Sequence, residues 1–325
     1  MRNIFVRLPE FLYSDPVHKP FFFFVILLVF SGNLSAQTTP IQSIQLKKHF
    51  ALKVSGGLAH WRLTDWNDSF RTYVMSSDGE ESNLLGDYFH WGKDSEVELQ
   101  YIFNPIVKVG IGFQHAWGKG EGRSLQTASD GRYWKDADTI ETRITPIYFT
   151  LYGTSLSYPN QYYFGIGMGY YLSKFQRYRE SRDADSTGVE ASIIFNEDMS
   201  ANSIGFHVVT GLEYFLSQKV GLVAEVRGRY VKISGYNGKF TETIDGGTPS
   251  TYNAESYVIT YQRDDSVEDR EAEVFTAIRE NETEPRDWDY YKDINNQIDR
   301  ENYKFRKTVM DFSGFSLKIG MAYHF

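Results

Sequence analysis

The chain has 325 residues, and its 23 Tyr, 24 Phe and 6 Trp make it 16% aromatic although hydrophobic residues of every kind reach only 41%. The absence of cysteine excludes disulfides, thiolate metal sites, a cysteine nucleophile and a lipid-anchored cysteine, and a formal charge of −8 argues against a nucleic-acid partner. Beyond residue 30 no run approaches the roughly 18 to 20 apolar residues that a membrane helix needs, so a membrane could be crossed only with strands.

Phe21 to Phe30 is an unbroken apolar run, preceded by Arg2, Arg7 and Lys19 and followed by Gly32-Asn33-Leu34-Ser35-Ala36-Gln37. Its length suits the core of an export signal and is too short to span a bilayer. Cleavage after Ala36 makes residues 1–36 a signal peptide and residues 37–47 a short polar lead-in.

From Phe50 the mature chain alternates. Leu52, Val54 and Leu58 take one face against Lys53, Ser55 and Ala59, which is the period of a strand with one apolar side. Leu63 to Trp91 is polar and aperiodic, a long loop. Asp94 to Asn104 sets Val97, Leu99, Tyr101 and Phe103 against Glu96, Glu98 and Gln100, and Asn104-Pro105 marks a tight turn. Val107, Val109, Ile111 and Phe113 follow, opposed by Lys108 and Gln114, and Lys119 to Asp138 reads as a second long loop.

In the fourth strand, Thr139 to Gly153, Glu141 and Arg143 oppose Ile140, Thr142 and Ile144; Pro146 cannot donate to a ladder, so a bulge is expected there, shifting the apolar face to Ile147, Phe149 and Leu151. Tyr162 to Leu172 is the clearest strand, with Gly165, Gly167 and Gly169 on its second face. A charged loop, Gln176 to Ser200, precedes Ile204 to Leu216, where Gly205, His207, Gly211 and Glu213 form the second face. After Ser217-Gln218-Lys219 comes Val220 to Tyr230, with Glu225, Arg227 and Arg229 on one side. Gly235 to Asp311 is the longest loop. Gly314 to Phe325 closes the chain, with Phe315, Leu317, Ile319, Met321, Tyr323 and Phe325 on one face and Lys318 and His324 on the other.

A soluble sandwich strand would alternate in the same way. Connections running long, short, long, short, long, short, long are different, because sandwiches have no reason to confine long loops to alternate positions, whereas outer-membrane barrels do. The expected fold of residues 48–325 is therefore all-β: an eight-stranded antiparallel up-and-down transmembrane β-barrel with long extracellular loops, residues 235–311 among them. Both mature termini fall on the short-turn, periplasmic side, so the first and last strands can pair and remove the edges. Two aromatic belts agree with this. Tyr148, Tyr152, Tyr158, Tyr162, Tyr214, Phe215, Tyr323 and Phe325 lie low, and Trp61, Trp91, Trp117, Tyr170, Tyr171, Tyr230, Phe312 and Phe315 lie high. A ten-stranded version using Tyr252 to Tyr261 is weaker, since its partner around Asp287 to Asn302 is too polar to face lipid.

An export signal ending Ser35-Ala36-Gln37, eight amphipathic strands and a terminal Tyr323-His324-Phe325 resemble the outer-membrane β-barrel domain proteins of Bacteroidota, similar in plan to small OmpA/OmpX- or OmpW-type barrels. The resemblance covers roughly residues 46 to 325. It implies an outer-membrane lipid environment and a barrel-assembly machinery that reads Tyr323 and Phe325 as its signal. The long segment 235–311 departs from the compact members.

On the expected inner faces, Lys53, Lys108, Arg143, Arg227, Arg229 and Lys318 meet Glu96, Glu98, Glu141, Glu213 and Glu225. Eight strands leave an interior just wide enough for side chains, and unpaired buried charge is costly, so an ion-paired structural lumen is expected ahead of a narrow conduit. Arg227 and Arg229 facing Glu96 and Glu98 form the centre of that network. His60, His90 and His115 lie near the outer rim, in sequence reach of Asp65, Asp87 and Asp94, but seven histidines and 42 acids make such proximity cheap, and no enzyme activity, cofactor or metal is expected. Ser266 to Asn281 has a helix-like composition. Asp287-Trp288-Asp289 lacks the ligand spacing of a calcium loop, and Asp138-Thr139-Ile140, Asp185-Ser186-Thr187 and Asp265-Ser266-Val267 resemble short O-glycosylation acceptors. The expected function is non-enzymatic, with surface loops for contact or ligand capture on a monomer. Passive transport of a small or apolar solute, or a part in a secretion or envelope assembly, are the alternatives.

Overall fold

The computed structural model describes residues 49–63, 85–86, 90–127, 133–155, 159–184, 189–262, 270–281, 284–285 and 303–325. The expected signal peptide and lead-in, Tyr158, Asp287-Trp288-Asp289 and the acceptor tripeptides at Asp185 and Asp265 lie outside them. The strands are β1 (Phe50–Trp61), β2 (Leu85–Gly86), β3 (Trp91–Asn104), β4 (Val107–Thr127), β5 (Tyr133–Thr154), β6 (Asn160–Ala184), β7 (Glu190–Phe215), β8 (Val220–Tyr230), β9 (Lys232–Ser234), β10 (Asn237–Ile244), β11 (Ser250–Gln262), β12 (Arg270–Asn281), β13 (Glu284–Pro285), β14 (Tyr303–Lys307), β15 (Val309–Asp311) and β16 (Gly314–His324).

Eight of these form a ring of antiparallel pairings in the order β1, β3, β4, β5, β6, β7, β8, β16, and back to β1. The ring shuts where the two ends of the chain meet, with Ala51 opposite His324 and Trp61 opposite Gly314. Side-chain acceptors hold two of the short connections. Asn104 Oδ1 accepts from the amides of Ile106 and Val107, both at 2.8 Å, and Ser217 Oγ accepts from Lys219 and Val220 at 3.2 Å; such local bonds are what make these residue types turn formers.

Three sequence expectations are corrected. Pro146 causes no bulge: β5 runs in unbroken register against β6, Thr145 opposite Leu172, Pro146 opposite Tyr171 and Ile147 opposite Tyr170. With no shift of face, Glu141 and Arg143 share the outward side of Ile147 and Phe149. The lost donor falls on one pairing with β4 and leaves the pleat intact.

The segments 119–138 and 176–200 are strand extensions for most of their length. β4 pairs with β5 out to Thr127 and Tyr133, and β6 with β7 out to Ala184 and Glu190. Their outward faces carry ion pairs in place of apolar side chains, as between Lys174 and Asp198 at 2.8 Å. A search for apolar alternation therefore stops where pairing does not.

The segment 235–311 holds six strands among the described residues, β10 to β15. The outer half of β7 leaves β8 and pairs with β10, which pairs with β11; β11 then pairs with β12 and β14. The helix-like stretch 266–281 is strand over Arg270–Asn281, where Ala272, Val274, Thr276 and Ile278 recur with period two and cross-strand pairing overrides helix propensity. At the β10 tip, Asp245 and Gly246 both have positive φ (48° and 67°), and the Gly247 amide donates to the Ile244 carbonyl at 2.8 Å. That is the Asp-Gly turn that suits a hairpin. Among the described residues β11 pairs with β10, β12 and β14 and with no ring strand, which leaves it outside the eight-stranded ring.

Candidate functional site

The interior of the ring is the most built part of the molecule. Nine of the eleven expected network residues lie inside it and are buried: Lys53, Glu96, Glu98, Lys108, Glu213, Glu225, Arg227, Arg229 and Lys318. Glu141 and Arg143 do not. They pair with each other at 2.8 Å on the outer face, roughly two-fifths exposed. Asp94 takes a place instead, buried on β3 two residues before Glu96. The signal for it was present, since the period that puts Glu98 and Glu96 inside extends to Asp94.

Glu96 is the hub. Its carboxylate accepts from Lys53 at 3.0 Å and Arg227 at 3.0 Å, and from Lys318. Lys53 also reaches Glu225 at 2.6 Å and Glu98 at 3.5 Å, while Arg227 reaches Glu225 at 3.1 Å. Buried tyrosines finish the carboxylates: the Tyr152 hydroxyl donates to Glu98 at 2.7 Å, Tyr148 to Glu98 at 3.0 Å and Tyr163 to Glu225 at 3.1 Å. The expected aromatic belts are corrected here. Tyr148, Tyr152, Phe215, Trp61, Tyr171 and Phe312 are buried, whereas Tyr162, Tyr214, Tyr323, Phe325, Trp91, Tyr170 and Tyr230 are exposed. Composition near a strand end does not assign a face; the parity of the position does.

Toward the short-turn end, Glu213 takes Nε2 of His324 at 2.6 Å and Lys108 at 3.8 Å. Lys108 lies over the Tyr163 ring at 4.7 Å, and Arg227 over that of Tyr148 at 4.4 Å, so both cations also gain a π-face. His207 Nε2 meets Thr150 Oγ1 at 2.8 Å. Inner glycines make room for these groups. A Cβ on Gly112 would fall 2.2 Å from the Tyr148 ring end, and one on Gly165 would lie 2.7 to 2.9 Å from Tyr152, Val209 and Thr150. On this glycine-rich strand, packed neighbours already stand where a Cβ on Gly165 or Gly167 would go.

Toward the opposite end the filling is apolar. Trp61, Leu63, Phe175, Tyr171, Val231, Ile233, Tyr236, Met310 and Phe312 belong to one buried cluster. Several of them come from outside the ring strands. β9 and β15 pair, Met310 opposite Ile233, and bring the two ends of the 235–311 segment over the mouth. The Phe312 amide donates to the Val231 carbonyl at 3.0 Å, and the Leu63 amide to the Asp311 carbonyl at 2.8 Å. Leu63 has φ 43°, a left-handed backbone that costs a non-glycine residue energy and turns its side chain into the cluster. Trp61 meets Phe312 edge-on at 5.5 Å. Burial pushes the Tyr236 phenol above its ordinary range, partly relieved by its hydrogen bond to Ser173 Oγ at 2.6 Å.

The rim histidines face outward. His60 stacks on His90 at 5.5 Å and on Phe315 at 5.3 Å, His90 Nδ1 lies 3.2 Å from the Trp61 carbonyl, and His115 Nδ1 lies 2.9 Å from Thr145 Oγ1. Asp94 faces the interior, away from all three, and Asp65 and Asp87 lie outside the described residues. At the chain end, Phe325 stacks on Phe50 at 6.0 Å and on Tyr323 at 6.2 Å.

No protein-family model and no curated protein matches the chain. Among solved structures it is similar to the outer membrane protein OprG from Pseudomonas aeruginosa, at 11% identity and a TM-score of 0.35, over 86% of this chain and 97% of that one.

Proposed function

We propose that residues 48–325 are a monomeric, non-enzymatic, eight-stranded outer-membrane β-barrel with a sealed lumen, whose additional sheet of β10, β11, β12 and β14, continued from the outer half of β7, serves surface contact or ligand capture. What carries the membrane part is the inversion of the ring: Ile319 is 75% exposed and Ile111 63%, while Lys53 and Arg227 are 1% exposed. A contiguous apolar exterior of this extent marks a surface that water does not cover. On β6 the exposed apolar run from Tyr162 to Leu172 is about 33 Å of strand, which at the usual tilt gives a band about 25 Å tall, the height of an outer-membrane hydrocarbon layer. β4 to β7 continue beyond that band with ion-paired outer faces, which suits the extracellular side, and both mature termini then lie in the periplasm.

Two fillings in series, a charged belt and an apolar seal, support the contact role over passive transport of a small or apolar solute. Planar-bilayer recording tests this directly. The purified protein is expected to insert without steady conductance; a stable open level would establish the channel in its place.

Tyr323 and Phe325, outward and apolar at the chain end, fit the proposed signal for the barrel-assembly machinery. Deleting Phe325 is expected to lower the fraction assembled in the outer membrane, as read by heat-modifiable mobility. Unchanged assembly would leave these residues only their stacking, Phe325 on Phe50 and Tyr323 on Phe325.

A further inference from the structure

Between the charged belt and the apolar seal, four inner-face positions sit side by side on three neighbouring strands. His207 on β7 lies opposite Arg229 on β8, and Arg227 on β8 lies opposite Ser316 on β16. All four side chains are buried. Their hydrogen-bonding capacity is not used up. Among the described residues, Nε and Nη1 of Arg227, Nε, Nη1 and Nη2 of Arg229, Nδ1 of His207 and Oγ of Ser316 have no hydrogen-bond partner.

The charge partner of Arg229 is Asp94, at 3.8 Å, and that carboxylate is shared with Lys318 at 3.6 Å and Gln114 at 2.5 Å. Oδ1 of Asp94 also has no hydrogen bond. Turning it onto Arg229 would satisfy one guanidinium nitrogen and leave the others as they are.

We propose that this chamber binds a small inorganic anion of the chloride class between the guanidinium groups of Arg227 and Arg229. The leftover arginine nitrogens are donors only, and a buried donor without an acceptor is expensive. Each water molecule brings two hydrogens that need acceptors, and against five arginine nitrogens without a hydrogen-bond partner stand two such oxygens, Asp94 Oδ1 and Ser316 Oγ. An anion accepts from several donors and demands none. The pairing of Arg229 is the weakest of the buried arginines: its carboxylate partner Asp94 lies at 3.8 Å, whereas Arg227 meets Glu96 at 3.0 Å and Glu225 at 3.1 Å.

The test is long-wavelength anomalous diffraction on crystals of the full chain grown in chloride, repeated in bromide. The expected result is an anomalous peak within hydrogen-bonding distance of the Arg229 guanidinium, stronger in bromide. No peak, or ordered water alone at that position in both salts, overturns the proposal. Arg229→Met is expected to lose the peak, and a full peak persisting in that variant would overturn the assignment to Arg229. Should Arg229→Met fail to assemble, the chloride and bromide maps of the unaltered protein decide alone.

Discussion

The two halves of the ring interior are filled by opposite chemistry and by different parts of the chain. Toward the short turns, every contributor to the belt sits on a ring strand: Lys53 on β1, Glu96 and Glu98 on β3, Tyr148 and Tyr152 on β5, Glu225 and Arg227 on β8, Lys318 on β16. Toward the tall end, Leu63, Val231, Tyr236 and Phe312 lie between strands, and Ile233 and Met310 lie on the small β9–β15 pair. The belt is inseparable from the ring, since its charges are matched across strands far apart in sequence. The seal is closed by the ends of connecting segments packing onto ring residues such as Trp61, Tyr171 and Phe175. It can be weakened while the ring keeps its pairings.

The largest effect should come from the hub of the belt. Glu96→Leu removes the carboxylate shared by Lys53, Arg227 and Lys318 and leaves buried cations under-neutralised, which costs about 3–5 kcal/mol. Denaturant unfolding of the protein refolded in micelles would measure it. A loss below about 1 kcal/mol would mean that the belt is hydrated like a surface, against the burial of every member.

Phe312→Ala should come next. Removing a fully buried ring from the seal costs about 3 kcal/mol, at the low end for such truncations because a mouth can relax. The informative readout is conductance, expected to stay at zero because the belt below is untouched. A steady open level in this variant would show that the seal alone closes the lumen and that the belt is permeable.

The difference between the halves also explains what could be seen in the sequence. Ring strands announce themselves because an apolar outer face and a polar inner face give a clean period of two, and the belt follows from parity alone once each strand's phase is known. Where phase was taken from a local argument it failed. Pro146 was expected to reset the alternation, and that single step put Glu141 and Arg143 inside. The register of β5 on β6 shows that a missing donor on one side of a strand does not turn its pleat. The seal was illegible for another reason. Phe312 and Trp61 look like interfacial aromatics, and only the pairing of β9 with β15 and the inward turn at Leu63 reveal that they fold over the mouth. The extensions of β4 to β7 were hidden because ladders of ions carry no apolar period, and within segment 235–311 the Asp245-Gly246 dipeptide was the hairpin signal.

The smallest effect should come from the pair that was misplaced. Arg143 and Glu141 meet at 2.8 Å, and Arg227 and Glu96 at 3.0 Å, so the two arginine–glutamate contacts are nearly equal in length and differ mainly in burial. Outside, water solvates either partner when the other is removed, and Arg143→Ala is expected to cost about 0.2–1 kcal/mol. That cost should shrink further in molar salt, where screening acts within a few ångströms. Inside, no solvent replaces the lost partner, and the penalty for Glu96→Leu should hardly respond to salt. Measuring both variants at low and high ionic strength therefore isolates burial as the variable. If Arg143→Ala proves as costly and as salt-insensitive as Glu96→Leu, the outer face at that level is not in contact with water, and the edge of the proposed membrane band must be moved outward to include it.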